Sequence, residues 1–226
     1  MTRLSLWQLG LILSMGGSLG ACGSNTSTDT TWNGKTFLLD STKIPKNAWT
    51  KPKGVGTELG GYVPQFLIGV DSNAANIIIT TAQNGVQDMC TVTATVPLAG
   101  THPDSAILVP AFKAHITGVD NNKQPRSTIA TIRNLTLTDI LPGSTNDGQL
   151  DATLDMSELV PLFYLIANPD KDSVCAALND FGAPCVTCAA SGQPYCEQLQ
   201  AVQIGASATS ATITQVSDTD ILSSCL

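Results

Sequence analysis

Charge, histidine and long apolar runs are all scarce in this chain. Only 13% of its 226 residues are charged, and 18 acidic residues outnumber 11 basic ones for a formal net charge of −7. A surface of that sign repels phosphate backbones and anionic headgroups, which argues against nucleic acid as a partner. The two histidines, His102 and His115, are too few for a multi-histidine metal site and restrict any Ser-His-Asp or Cys-His mechanism. Neither has the i, i+4 partner of a zincin helix. His102 precedes Pro103 in a loop-like stretch and His115 falls on the polar phase of a strand, so both read as solvated. No Gly-rich phosphate loop follows a strand, and no basic stretch is interleaved with aromatics. No apolar segment reaches the roughly 20 residues that a membrane-crossing helix requires.

What the chain does have begins at its amino terminus. Arg3 is followed by an apolar stretch over 4–13 and a small-residue segment over 14–20, the pattern of a secretory signal. The sequence Leu19-Gly20-Ala21-Cys22 closes that segment and resembles the lipobox of bacterial lipoproteins. The resemblance implies cleavage before Cys22, a diacylglyceryl group on its thiol, and acylation of the freed amine. It implies a membrane as partner through that lipid, since two or more acyl chains anchor firmly where one holds only marginally. Gly23 stands where Asp would favour inner-membrane retention in similar lipoproteins, which points to the outer membrane. Residues 22–31 contain almost nothing to bury after the cysteine and read as a flexible tether. The letters of a nucleophile elbow, Gly16-Gly17-Ser18-Leu19-Gly20, lie inside the expected signal and carry no chemistry.

With 1–21 removed, ten basic residues face 18 acidic ones, a net charge of −8. Residues 32–226 show no internal linker and read as one domain, with enough apolar content (42%) to bury a sizeable core. Six cysteines remain besides Cys22: Cys90, Cys175, Cys185, Cys188, Cys196 and Cys225. In an exported protein an even number reads as disulfides, and six cysteines allow 15 connectivities. Local pairing among Cys175, Cys185, Cys188 and Cys196 would leave Cys90 with Cys225. The alternative gathers the four clustered thiolates around zinc, with Cys185 and Cys188 as a C-x-x-C pair. Oxidising surroundings and the lack of a second C-x-x-C disfavour that reading, and no metal or cofactor is expected.

Alternation with a period of two dominates the rest. It places Val92, Ala94 and Val96 inward against outward threonines over 91–96, and Phe112, Ala114 and Ile116 inward over 112–116. Further strands are expected over 36–40, 66–70, 76–81, 127–132, 135–138, 149–154, 201–206 and 211–216, about ten in all. Between Ile132 and Leu135 the inward phase slips by one residue, as at a bulge or a break in the strand. Separators rich in Gly, Pro, Asn and Asp suit an antiparallel sandwich or barrel. Helices are expected only late: one opening at Asp155 with capping-box spacing to Glu158 and running to Ile166, and one over 171–180 ended by Gly182. The expected fold is therefore mainly β, an antiparallel sandwich or barrel with a small disulfide-stapled helical insert.

Candidate chemistry is thin. Asp151 and Asp155, four residues apart on a strand, would stand about 13 Å apart. Paired glycosidase carboxylates need about 5 to 9.5 Å, and Asp155 reads better as a helix cap. Asp71, Asp120 and Asp147 sit in Asn-containing turns without the twelve-residue calcium loop. The glycine-rich run from Gly54 to Tyr62 reads as a flexible connector, with a ligand-facing loop as the alternative. No catalytic residue emerges, and the expected function is non-catalytic binding or structural support in the cell envelope, with an envelope protein or glycan as partner. A β-barrel carrier of an apolar ligand is the second reading, and a hydrolase or metal enzyme the third.

Overall fold

The computed structural model describes residues 32–53, 56–72, 76–97, 106–119, 124–141, 148–163, 169–221 and 225. The signal, Leu19 to Cys22, the tether, His102, Asp120 and Asp147 lie outside them. Eleven strands occur among the described residues: β1 (Thr36–Leu39), β2 (Trp49–Lys51), β3 (Gln65–Val70), β4 (Asn76–Gln83), β5 (Val86–Gln87), β6 (Ala94–Pro97), β7 (Ile107–Val119), β8 (Pro125–Thr138), β9 (Gly148–Asp155), β10 (Cys196–Ile204) and β11 (Ser207–Thr209). They form two antiparallel sheets. One runs β11-β1-β3-β4-β5, with β6 also on β4; the other runs β2-β10-β9-β8-β7.

The inward phases of both sheets share one apolar core. Phe37, Phe66, Ile68, Ile77 and Ile79 come from the first sheet, and Ala114, Ile116, Ile132, Leu137 and Leu150 from the second. Each fully buried aliphatic or aromatic side chain contributes about 1.5–3 kcal/mol, so this cluster dominates the stability of the fold. The phase slip at 132–135 is a bulge within one continuous strand, β8, rather than a break between two. Ile132 and Leu135 both reach the core, Asn134 adopts φ 49°, and the pairing with β9 shifts between Arg133 and Thr136. β7 changes phase opposite it, from Val109 to Phe112.

Four local expectations are corrected. Over 91–96 the inward threonines are Thr91 and Thr93, both buried, because each has a hydrogen-bond partner: Thr91 Oγ with Thr81 Oγ, Thr93 Oγ with Thr214 O. Residues 211–216 form no strand. After β11 they cross the outer face of the first sheet, where a Cβ on Gly69 would stand 3.1 Å from Ile213 Cδ1. Leu67 and Thr80 are buried on that outward phase. The strap is tied down by Thr93 N–H to Val216 O (2.9 Å) and Thr214 N–H to Gln87 Oε1 (2.6 Å). Within the described part of the glycine-rich run, Gly56–Gly60 is a single helical turn, α1, packed on Trp49, rather than a loose connector. A Cβ on Gly60 would stand 2.5 Å from the Trp49 indole, so only glycine permits that approach.

The fourth correction concerns the helix after β9. It stops after α2 (Met156–Leu159), continuing only as a 3-10 turn over Val160–Leu162. Pro161 explains the stop, since in a longer helix it would remove a backbone hydrogen bond and clash with the preceding turn. Only half of the capping box forms. Asp155 accepts from Ser157 N–H (3.0 Å), whereas the Glu158 carboxylate accepts from Thr131 N–H and Oγ on β8. α3 (Lys171–Asp180) has the reciprocal box between Asp170 and Ser173, and Gly182 at φ 82° ends it, with Ala183 N–H donating to Leu178 O.

Three disulfides staple this frame: Cys175–Cys185, Cys188–Cys196 and Cys90–Cys225. The first two hold α3 and the segment after it to the start of β10. The third fastens the end of the strap to the 88–93 segment. All four clustered sulfurs are therefore bonded to one another and offer no zinc thiolate.

Candidate functional site

Among the described residues, an acid and a base meet at low exposure where Asp88 faces His115. His115 lies on the odd phase of β7, which alternation assigns to solvent, yet its side chain is only 11% exposed. The segment after β5 folds over the free edge of β7, placing Val92 N–H on Lys113 O (3.1 Å) and Thr91 Oγ as acceptor of His115 N–H (2.9 Å). That turn brings Asp88 against the imidazole, Oδ2 to Nδ1 at 2.8 Å. His115 is thus largely enclosed and paired, where the sequence reads it as solvated.

Asp88 is held from three sides. Cys90 N–H donates to Oδ1 (2.9 Å), and Gln83 Nε2 and His115 Nδ1 meet Oδ2 (both 2.8 Å). Burial raises the Asp88 carboxyl, but the hydrogen bonds from His115, Cys90 and Gln83 and the charge on His115 outweigh it, so the group lies below its ordinary value of 3.8. Asp88 is accordingly ionised at neutral pH and can only accept, which makes Nδ1 the donor. His115 Nε2 is buried with no hydrogen-bond partner among the described residues. Leaving such an atom unpaired costs about 1–3 kcal/mol.

His115 forms part of the wall of a cavity of about 230 Å³, together with Thr42, Tyr62, Gln65, Asn84 and Thr117. Tyr62 stacks on Phe163 with ring centroids 5.7 Å apart. A larger open cleft, about 530 Å³, separates β6 from β7, with Phe112 and Val109 at its base and Lys113, Arg133 and Asp218 among its lining. Lys113 and Asp218 pair at 3.0 Å.

A second buried ionisable group stands elsewhere. Glu197 on β10 is 5% exposed, shares the strand phase of Leu199 and Ala201, and its Oε2 has no partner among the described residues. Burial pushes its carboxyl up to about 7, against a smaller lowering by Gln198 N–H. The alternation of Glu197, Leu199 and Ala201 was the available signal for it, had the strand been read back to Cys196. Asp88 left no such trace, because only the tertiary fold brings it to β7.

The other candidates take structural roles. Asp71 Oδ2 accepts from Asn76 N–H (3.1 Å) and from its side-chain amide (3.0 Å), an ordinary turn. Asp151 accepts from Gln149 and Gln200, and Asp155 caps α2. Two groupings have metal-ligand residue types within 4.8 Å of one another, Asp88-Cys90-His115 and Asp155-Cys188-Cys196. In both, the sulfur atoms belong to disulfides. Compared with family models, with curated proteins and with solved structures, the chain finds no match.

Proposed function

We propose that this protein is a lipid-anchored component of a bacterial cell envelope that binds a partner without transforming it. The observation that carries the reading is cysteine pairing. Of seven cysteines, six are joined to one another in the folded domain, and the one outside those pairs is Cys22, at the end of the lipobox-like sequence. Three disulfides in a domain of this size suit an oxidising compartment. The lipid on Cys22 would hold the protein to the membrane, with Gly23 directing it to the outer one, and residues 22–31 would space the β domain from the surface.

Binding in surface clefts is favoured over an interior ligand. The space between the sheets is filled by side chains such as Phe37, Phe66, Ile132 and Leu150, which would have to part to admit an apolar cargo. Binding is also favoured over hydrolysis, since His115 Nε2 contacts no hydroxyl or thiol that it could activate among the described residues. Replacing Cys22 with Ser in the producing cell and following incorporation of a labelled fatty acid tests the anchor. Loss of label and release from the membrane fraction are expected; label retained by the variant would overturn the assignment.

A further inference from the structure

We propose that the cleft between β6 and β7 takes a short extended peptide segment with an acidic side chain, held there as an added strand. This rests on the envelope-binding reading above and names the partner chemistry of that function. Backbone geometry, the cleft lining and charge each bear on it.

The two strand edges begin to pair and then part. Val92 N–H donates to Lys113 O and His115 N–H to Thr91 Oγ, the order of an antiparallel ladder. Continued at that register, 94–97 would face 108–111. Instead β6 pairs only with β4 and β7 only with β8, so both sheets meet this seam with an edge that has no strand partner among the described residues. Lys113 turns its C=O toward the seam. Alternate residues of an antiparallel strand turn their backbone groups the same way, so Ala111 presents its N–H and C=O there too. Among the described residues no backbone hydrogen bond reaches Ala111 from across the seam. A row of donors and acceptors at strand spacing is matched by an extended peptide backbone, not by a compact solute.

The lining suits the side chains of such a segment. Val109 and Phe112 form the base of this cleft of about 530 Å³, and Ala94 and Val96 pack against the core from the β6 side. Apolar side chains on the inward phase of the added strand would lie over them. The regular stretch is short, because β7 changes phase between Val109 and Phe112 and β6 has four residues ending at Pro97. So short a ladder, on mature copies that each carry a net charge of −8, opposes edge-to-edge pairing of two copies.

Charge selects an acidic segment. Arg133 is the cross-strand neighbour of Ala111, whose methyl group leaves the guanidinium room to reach over β7 and line the cleft. It makes no hydrogen bond or ion pair among the described residues. Lys113 is engaged by Asp218 in an exposed pair, so the described lining holds one cation in excess on an acidic molecule. A carboxylate on the outward phase of the added strand meets Arg133 by a two-pronged hydrogen bond.

The probe is the peptide Thr-Val-Asp-Val-Thr, capped at both ends and carrying a neutral coumarin dye. Its fluorescence anisotropy is followed as full-length protein, purified in non-ionic detergent, is added to about 0.5 mM, a range that reads weak short-peptide binding. A saturating rise is expected. Replacing the peptide's Asp with Lys, or methylating the backbone nitrogens of both valines, should each weaken binding about tenfold. Arg133→Gln in the protein should weaken binding of the Asp peptide to the level of the Lys peptide and leave the thermal unfolding temperature in place. No saturation with the Asp peptide would overturn the proposal, as would equal binding of the methylated or Lys peptide, or binding unaltered by Arg133→Gln. Self-association of the protein over the same range, dispersed by Arg133→Gln, would give the edge to a second copy and overturn it as well. The anchor is read separately: fatty-acid label on Cys22 without peptide binding removes the added strand and leaves the envelope reading, and the converse removes the anchor alone.

Discussion

Replacing Glu197 with Gln should stabilise the protein at pH 8 and leave its stability nearly unchanged at pH 4. The carboxyl is buried on the core phase of β10 with one oxygen unpartnered, and burial raises it from its ordinary value of 4.5 to about 7. Between those two values the folded protein keeps a proton that the unfolded chain has released. The contribution of this group to stability is therefore largest below pH 4.5 and is lost as pH rises through about 7. At about 1.4 kcal/mol per pH unit, the ceiling on that loss is about 3 kcal/mol. A glutamine side chain there is a neutral shape-mimic of the protonated acid and escapes the loss. Urea unfolding of both proteins, disulfides intact, across about pH 4 to 8 reads the effect as a widening gap between midpoints. Titrating groups common to the two proteins cancel in that difference. A gap that stays constant with pH, or a variant less stable than the parent at pH 8, would refute the reasoning.

Further expectations follow from the same structure. Opening Cys90–Cys225 by a double Ala substitution should cost up to about 5 kcal/mol, because the bridge closes a loop of 135 residues, whereas Cys188–Cys196, closing 8, should cost about half as much; equal losses by urea titration would contradict the loop-closure account. Asp88→Ala strips His115, Gln83 and Cys90 N–H of their shared acceptor and should cost about 3 kcal/mol at pH 7. Because the Asp88 carboxyl is lowered from 3.8, that penalty, read by the same urea titration, should persist to pH 4 and shrink only as the parent is titrated to more acid pH. Gly148→Ala would bring a Cβ to 2.1 Å from Ile204 O, both atoms being fixed in the β9–β10 ladder, so a drop of several degrees in the thermal unfolding temperature is expected.

The parts of this fold legible in the residue pattern are those in which one side chain's environment follows from its neighbours along the chain. Phe112, Ala114 and Ile116 alternate and are buried; the slip at Ile132 to Leu135 is a bulge; Gly182 ends α3. Spacing also separated the cysteines into a local group and a distant pair. Pattern failed where a partner far along the chain changed the sign of burial. Thr91 and Thr93 look like the solvent face of a strand and are buried because Thr81 and the strap satisfy their hydroxyls. His115 looks solvated and is largely enclosed, because a turn 27 residues earlier delivers a carboxylate against its ring.

Sequence by itself thus determined a mainly β chain, an amino terminus patterned like an export signal up to Cys22, and six further cysteines set for pairing, all of which depend on local order and composition. Tertiary structure alone decided the pairing of the two sheets, the path of 211–216 as a strap rather than a strand, and the meeting of Asp88 with His115 beside a small polar cavity. Those features rest on contacts between residues tens of positions apart, where burial is set by what the fold brings near and not by the side chain's own polarity.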